Sequence, residues 1–128
     1  MSNSYTIEIP YVLPNANAQL RMHFRGRERI KTRCMEYLLV AKSQMLHAGL
    51  PFPKRLTQFH LTIERHATRA QDRDNAIAGH KGLIDAMKER DGMGLILDDA
   101  PHQMLSCSVI HIAAKRKNER TIIKLTEA

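Results

Sequence analysis

The chain has 128 residues, 43% of them hydrophobic and 26% charged, as expected for one globular domain around a single core. Twenty lysines and arginines against thirteen aspartates and glutamates give a net charge of +7, which attracts polyanions without identifying which one. No apolar run approaches the roughly 18 residues of a membrane span, and the N-terminus lacks the pattern of a secretory signal, so we expect a cytoplasmic protein with no membrane partner. The isolated Cys34 and Cys107 argue against a disulfide framework or a zinc site and are expected to be small buried hydrophobes.

The N-terminal part of the chain combines a strand with a row of cations. Alternating apolar residues predict a strand over residues 5–11, limited by Pro10, and residues 13–19 are rich in turn formers. Cations then occupy every second position, at Arg25, Arg27, Arg29, Lys31 and Arg33. If this segment is extended, all five point one way, a spacing suited to a phosphate backbone; the alternative is a solvated loop.

A helix and a strand are predicted next. The helical period predicts a helix from about residue 33 to residue 47, which Gly49 ends. Its apolar stripe consists of Cys34, Leu38, Leu39, Ala41, Met45 and Leu46. Strict alternation over residues 57–66 predicts a strand that delivers the chain to the region of Asp72. Its inward residues are Phe59, Leu61 and Ile63.

A second helix is predicted over residues 75–90. At 100° per residue, one arc of this helix faces the core. That arc contains Ala76, Ile77, His80, Leu83, Ile84 and Met87. Gly79 and Gly82 lower the helix propensity, which indicates that another element approaches closely there.

The C-terminal part predicts two strands. Residues 104–114 are expected to form a strand that is partly buried on both faces, residues 115–120 a hairpin turn and residues 121–126 the returning strand. The order β-α-β-α-β-β favours an α+β fold, a small mixed β-sheet with two main helices packed on it, in a single domain over residues 1–128.

Acidic residues are concentrated around the second helix, although the chain as a whole is basic. Asp72 and Asp74 precede the helix and would point the same way in an extended segment, whereas Asp98 and Asp99 follow it. Carboxylates before and after one helix can fold back to a common point and hold Mg²⁺, which takes oxygen ligands. The alternative is that the first pair only caps the helix and the second only forms a turn.

Lys81 and Asp85 lie on the face of the helix that also carries Asp74, because seven and eleven residues are close to whole numbers of turns. Lys81 could therefore neutralise charge that develops on a scissile phosphate. The alternative is a structural i,i+4 ion pair between Lys81 and Asp85.

Three motifs in this order carry a family resemblance. R-x-x-D-x-D-N spans residues 69–75, K-x-x-x-D-A-hydrophobic spans residues 81–87, and hydrophobic-D-D-A spans residues 97–100. The segment IPYVLPNANAQLRMHFRGR, residues 9–27, adds an opening strand, a Pro-Asn turn and an R-G-R element. The sequence resembles the RusA-type Holliday-junction resolvases over nearly its whole length.

The resemblance implies a homodimeric, Mg²⁺-dependent endonuclease that cuts four-way DNA junctions symmetrically, and no organic cofactor is expected. It implies that Asp72, Asp74 and Asp99 bind the metal and that Lys81 completes the catalytic set. Lys81 lies one helical turn, about 5 Å, farther from the D-x-D motif than the family pattern places its lysine. Contacts to nucleic acid are expected from Arg25, Arg27, Arg29, Lys31, Arg33, Arg69 and Arg73.

Two other functions stay open at the level of sequence. A non-catalytic module for branched or single-stranded DNA would bind in a salt-sensitive way, indifferent to Mg²⁺ and to the aspartates. The retained acids argue against it, since unused carboxylates would only repel the ligand. An RNA-directed nuclease is the other possibility, and the aromatic content of 5% argues against recognition of single strands by base stacking.

Overall fold

The computed structural model describes residues 3–70 and 75–128. Its elements, in chain order, are β1 Ser4–Ile9, α1 Ala16–Leu20, α2 Phe24–His47, β2 Phe59–Ala67, α3 Ala76–Gly79, α4 Lys81–Met87, β3 Met104–Ala113 and β4 Arg120–Glu127. The predicted α+β class is confirmed, because the four strands form one mixed sheet with helices packed against it. Within these two described ranges, no helix combines the length and the apolar character needed to cross a bilayer.

The sheet has the strand order β1-β4-β2-β3. β4 is antiparallel to both of its neighbours, whereas β2 and β3 are parallel, with Leu61 opposite Cys107 and Ile63 opposite Val109. The predicted hairpin between the last two strands is therefore wrong, since β3 and β4 lie on opposite sides of β2. Their connection, with a 3₁₀ turn at Arg116–Asn118, passes the end of β2 instead.

The parallel pairing of β2 and β3 determines where the predicted site lies. Parallel neighbours cannot be joined by a tight turn, so the chain must return along the sheet between the end of β2 and the start of β3. This crossover contains α3 and α4. All the predicted metal-binding aspartates belong to it in the sequence.

The core lies between one face of the sheet and the helices α2 and α4. Its fully buried side chains include Ile7, Phe59, Leu61, Ile63, Ile123 and Leu125 from the sheet, and Cys34, Leu38, Leu83 and Met87 from the helices. The predicted inward face of β2 is thereby confirmed. The strand β3, predicted to be partly buried on both faces, is an edge strand with half-buried residues at both odd and even positions and no buried residue, and Leu105 and Ile110 are exposed.

α2 begins well before the predicted start at residue 33. His23 caps it, since its Nδ1 accepts the N–H of Arg25 at 3.2 Å. Buried Ile30 lies one turn before buried Cys34, so the apolar stripe extends further toward the N-terminus than predicted. The predicted extended row of five cations is therefore wrong, and so is the alternative of a loop.

Three residues predicted to face the core are exposed, namely Leu39, Leu46 and Ile77. The two leucines flank the stripe of α2 rather than belonging to it. Ile77 is exposed because the predicted second helix is two short helices, α3 and α4, joined at His80, and this break changes the direction of the residues before it.

The predicted turn near Asn15 is instead a short helix, α1, which Asn15 caps through its Oδ1. The close approaches predicted at two glycines are confirmed. The carbonyl oxygen of Gly79 accepts a hydrogen bond from Gln19 Nε2 at 2.7 Å, which ties α1 to the end of α3. A Cβ on Gly82 would lie 3.2 Å from Ile30 Cγ2, so α4 packs tightly on α2.

After α4 the chain makes a tight return at Gly92. The N–H of Leu95 donates to Met87 O at 2.9 Å, and the N–H of Gly94 donates to Lys88 O at 3.1 Å. A Cβ on Gly92 would collide with Lys88 O and lie 2.8 Å from each of two further carbonyl oxygens at the end of α4. Only glycine allows the backbone to approach the helix end this closely.

We therefore expect Gly92→Ala to lower the free energy of unfolding by about 3 kcal/mol, because three backbone oxygens would have to move. Gly94→Ala is the matched control. Gly94 has a positive φ of 76° but no atom within 4 Å of a Cβ, so its substitution should cost only about 1 kcal/mol. Urea unfolding of both variants checks the difference, and equal losses would contradict the close approach at Gly92.

Candidate functional site

Asp98 and Asp99, near the end of the crossover, converge with Asp85 of α4 on the ammonium group of Lys88. Nζ of Lys88 lies 3.3 Å from Asp85 Oδ1, 3.7 Å from Asp98 Oδ1 and 3.6 Å from Asp99 Oδ1. We call these four residues the Lys88 cluster. The expectation that acids after the helix fold back toward it is met for Asp98 and Asp99, whereas Lys88 was not singled out from the sequence.

Buried residues hold the acidic pair beside α4. Leu95 and Ile96 have no exposed surface. The N–H of Leu56 donates to Leu95 O at 3.0 Å, and the N–H of Leu97 donates to Leu56 O at 2.9 Å. Asp98 therefore follows directly after a segment that is fixed on both sides.

The electrostatics of the Lys88 cluster favour its charged form. Burial alone lowers the pKa of Lys88, but its hydrogen bond to Asp85 and the charges of Asp85, Asp99 and Asp98 outweigh burial and raise the pKa. The N–H of Asp99 donates to Asp98 Oδ1 at 2.8 Å. Hydrogen bonds from Asp99, followed by the charge of Lys88, lower the pKa of Asp98. At neutral pH the cluster thus contains an ammonium ion among carboxylates.

Lys81 is the first residue of α4, and its Nζ lies 3.7 Å from Asp85 Oδ1. The i,i+4 ion pair, considered above as an alternative to a functional lysine, is therefore present. The Lys81 side chain is nevertheless 69% exposed, compared with 23% for Lys88. An anionic ligand can thus reach Lys81, whereas Lys88 is enclosed by carboxylates.

The carboxylates of the Lys88 cluster have the donor chemistry that Mg²⁺ prefers. Across residues 3–70 and 75–128, no three His, Cys, Asp or Glu side chains are grouped so that they could hold a metal ion. Asp72 and Asp74, the other predicted ligands, lie outside the described residues, as does Arg73. Asp98 and Asp99 fit a divalent cation in donor type, since both already turn an oxygen toward one positive charge.

The chain leaves β2, toward the segment with Asp72 and Asp74, from a firmly held strand end. Arg65 is buried, and its Nη1 donates to Arg69 O at 2.6 Å. The N–H of Thr68 donates to Glu119 Oε2 at 3.0 Å, and its Oγ1 donates to Ala114 O at 3.1 Å. Arg65 was missed from the sequence, although an arginine at an inward position of an alternating strand indicates a specific buried partner.

The predicted row of cations becomes two rows on α2. Two residues correspond to about 200° on a helix, so a spacing that aligns side chains on a strand sends them to opposite sides here. Arg25, Arg29 and Arg33 form one row, and Arg27 and Lys31 form the other. The second row faces α3 and α4, where it lines a groove together with Lys81.

His80 separates α3 from α4 and is fully buried, as predicted for a core-facing residue. Its Nδ1 donates to Ala76 O at 2.8 Å, which leaves Nε2 as an acceptor without a partner among the described residues. Burial lowers the pKa of His80, and the charge of Arg65 lowers it further, while the hydrogen bond to Ala76 opposes the shift. His80 is therefore neutral in the folded protein near neutral pH.

We expect Lys88→Met to destabilise the protein by about 1 to 2 kcal/mol at low salt, because three carboxylates would lose the cation between them. Lys81→Met is the control, with an expected loss of at most about 0.5 kcal/mol, since Lys81 is exposed and has one ion-pair partner. Urea unfolding at low salt and at about 1 M NaCl checks this. A Lys88→Met loss that does not shrink at high salt would show that the cluster does not act through charge.

His80 should make stability depend on pH. The unfolded state takes up the proton first, since the folded-state pKa of His80 is lowered. Its contribution is therefore complete above the ordinary histidine pKa of about 6.5 and is lost as the pH falls below it. Urea unfolding between about pH 7.5 and about pH 5 should give a flatter dependence for His80→Gln than for the wild type. The exposed His60 supplies the control, His60→Gln, which should keep the wild-type slope.

Comparison with known proteins identifies no family for this chain. No protein-family model matches it, and no curated protein matches it. A proposed function therefore rests on the geometry of the Lys88 cluster and of the elements around it.

Proposed function

We propose that the protein is a Mg²⁺-dependent, structure-specific endodeoxyribonuclease that resolves four-way DNA junctions by paired, symmetric phosphodiester hydrolysis. The observation that carries the proposal is the convergence of Asp98 and Asp99 with Asp85 on Lys88, next to the exposed Lys81. The sequence resemblance to RusA-type resolvases supports the same reaction, and Asp99 is the aspartate that the resemblance and the Lys88 cluster have in common.

The charge balance of the site supports a metal-dependent reaction. Three carboxylates and two ammonium groups, those of Lys81 and Lys88, leave one net negative charge in a chain of net charge +7. This local negative charge repels a DNA phosphate, and a bound divalent cation reverses its sign. Carboxylates of this kind are therefore more consistent with a metal-dependent nuclease than with a module that only binds DNA.

Each residue has a separate proposed task. Asp72, Asp74 and Asp99 would hold Mg²⁺, which when bound supplies Lewis acidity and a more acidic water. Lys88 keeps the acidic pair in place, since its ammonium offsets the repulsion between the carboxylates. The exposed ammonium of Lys81 is available to a non-bridging oxygen of the scissile phosphate.

The substrate accounts for the remaining features of the proposal. The arginines at the start of α2 and Arg69 at the end of β2 are exposed and can bind phosphates along the junction arms. A four-way junction has two equivalent cut sites, which a two-fold homodimer would address at the same time.

We expect Asp72→Asn and Asp99→Asn to abolish paired cleavage of a labelled four-way junction in Mg²⁺, because each removes a charged metal ligand. Binding of the junction in the presence of chelator should be retained or slightly strengthened, since a negative charge is lost. Gel electrophoresis of cleavage products and fluorescence anisotropy of the junction measure the two quantities separately.

Asp91→Asn is the matched control, because Asp91 is an exposed acid of the same crossover outside the Lys88 cluster, and asparagine tolerates its positive φ of 61°. Cleavage at the wild-type rate by Asp99→Asn would contradict the proposed metal site. Junction binding without cleavage by the wild type, in Mg²⁺ or Mn²⁺, would favour the non-catalytic module. Cleavage of RNA but not of DNA junctions would favour the RNA-directed nuclease.

A further inference from the structure

A groove of about 540 Å³ runs between α1, the first two turns of α2, and the pair α3 and α4. This volume is within the range of about 300–1,000 Å³ typical of sites for small organic ligands. The groove adjoins the Lys88 cluster, because Asp85 belongs to both. Side chains that line it include Leu20, Phe24, Arg27, Lys31, Lys81 and Asp85.

The wall formed by α2 is basic, since it carries two cations, Arg27 and Lys31, and one acid, Glu28. Four further cations of residues 21–33 lie outside the lining of the groove. The first turn of α2 contains no acidic residue, although the positive end of a helix dipole favours one there. Cations at this end destabilise the isolated helix, so the arrangement favours an anionic ligand that offsets them.

The outer edge of the same groove is apolar and aromatic. Leu20 and Phe24 are 75% and 59% exposed. The described ranges contain all six phenylalanine and tyrosine residues. Of these six, Phe24 is exposed and the other five are buried or half-buried. The sparse aromatic content argued against base stacking, yet this exposed ring lines the same groove as Arg27, Lys31 and Lys81.

We propose that this groove binds one unpaired nucleotide of a DNA strand, with its base stacked on Phe24 and its flanking phosphates held by Arg27 and Lys31. The strand then continues past Lys81 to the Lys88 cluster. The inference deepens the proposed function, on which it rests for the identity of the substrate, because a branch point is where a junction offers bases that are easily unpaired. A nucleotide supplies both an apolar face and an anion, and the groove offers a partner for each.

A second copy of the chain is a less suitable occupant. A two-fold contact brings the same surface of both copies together, so Arg27, Lys31 and Lys81 of one copy would oppose the same cations of the other. The apolar edge by itself would suit such a contact, but the basic wall beside it would not.

The experiment measures binding to short single-stranded DNA and to a four-way junction, each with either a normal base or an abasic site at one unpaired position. Fluorescence anisotropy in chelator keeps the measurement independent of cleavage. The wild type should prefer the base over the abasic site by about 5- to 150-fold, the usual contribution of one stacked base. Phe24→Ala should lose this preference, and Phe24→Trp should retain it.

Leu39→Ala is the matched control, since Leu39 is equally exposed on α2, at 58%, but lies away from the groove. It should keep the preference. An unchanged preference in Phe24→Ala, or none in the wild type, would overturn the proposal. The proposal would also be overturned if the wild type shows no base preference and Phe24→Ala changes the protein from dimer to monomer in sedimentation. In that case the groove would hold a second copy of the chain.

The basic wall has its own test. Arg27→Gln should weaken binding to the strand with the base and to the abasic strand by the same factor, and should lower the slope of log Kd against log salt by about 0.7. Lys42→Gln is the control, because Lys42 is an exposed cation near the other end of α2 and lies outside the groove, so its loss should leave binding of the short strand nearly unchanged. Equal effects of the two substitutions would mean that phosphate binding is not directed to the groove, and would overturn this part of the proposal.

The outcomes separate this inference from the proposed function. Junction cleavage that depends on Asp99, together with a Phe24→Ala variant that keeps the base preference, overturns the groove proposal alone. A base preference that depends on Phe24, in a wild type that cleaves no DNA in any divalent metal, supports the groove and overturns the nuclease.

Discussion

One ammonium group holds the acidic end of the crossover against its helix. Without a cation among them, the carboxylates of Asp85, Asp98 and Asp99 would repel one another across a few ångströms, and the returning segment would tend to separate from α4. Lys88 removes that repulsion from a position that is mostly enclosed. The direction of Lys81 and the shape of the groove wall both depend on α4, so they depend on this interaction as well.

Backbone packing places the cluster and the groove on the same short helix. Gly92 allows the chain to fold back onto the end of α4, which brings Asp98 and Asp99 to Lys88, and Gly82 allows α4 to lie close to Ile30 of α2. Two glycines, which have no side chain, thus allow the close packing that sets the position of α4 at both of its ends. The Lys88 cluster and the proposed nucleotide site share Asp85 for this reason, and a strand bound in the groove would lead directly to the cluster.

Local patterns predicted the elements well where one face of an element is buried. The alternation of Phe59, Leu61 and Ile63 identified β2 because a half-buried strand leaves little choice of register. The start of α2 was missed because cations at every second position read as a strand, although Ile30 continues the helical stripe. The acidic pair was correctly expected to fold back, but Lys88 was not found, since its role depends on contacts that form only once the chain returns at Gly92. The predicted β3–β4 hairpin was wrong for a similar reason. In the sheet β2 lies between these two strands, and no local sequence pattern indicates this arrangement.

The pairing of β1 with β4 joins residues from distant parts of the chain, with Ser4 opposite Thr126. During translation, β1 therefore leaves the ribosome long before β4, its neighbour among the described strands, is made. The parallel pair β2 and β3, with the crossover between them, becomes available earlier. Closing the sheet is then a slow, non-local step, because the apolar face of β1, with Ile7 and Ile9, has no paired strand until β4 is made. The nascent chain at this stage would suit a chaperone that binds exposed apolar side chains.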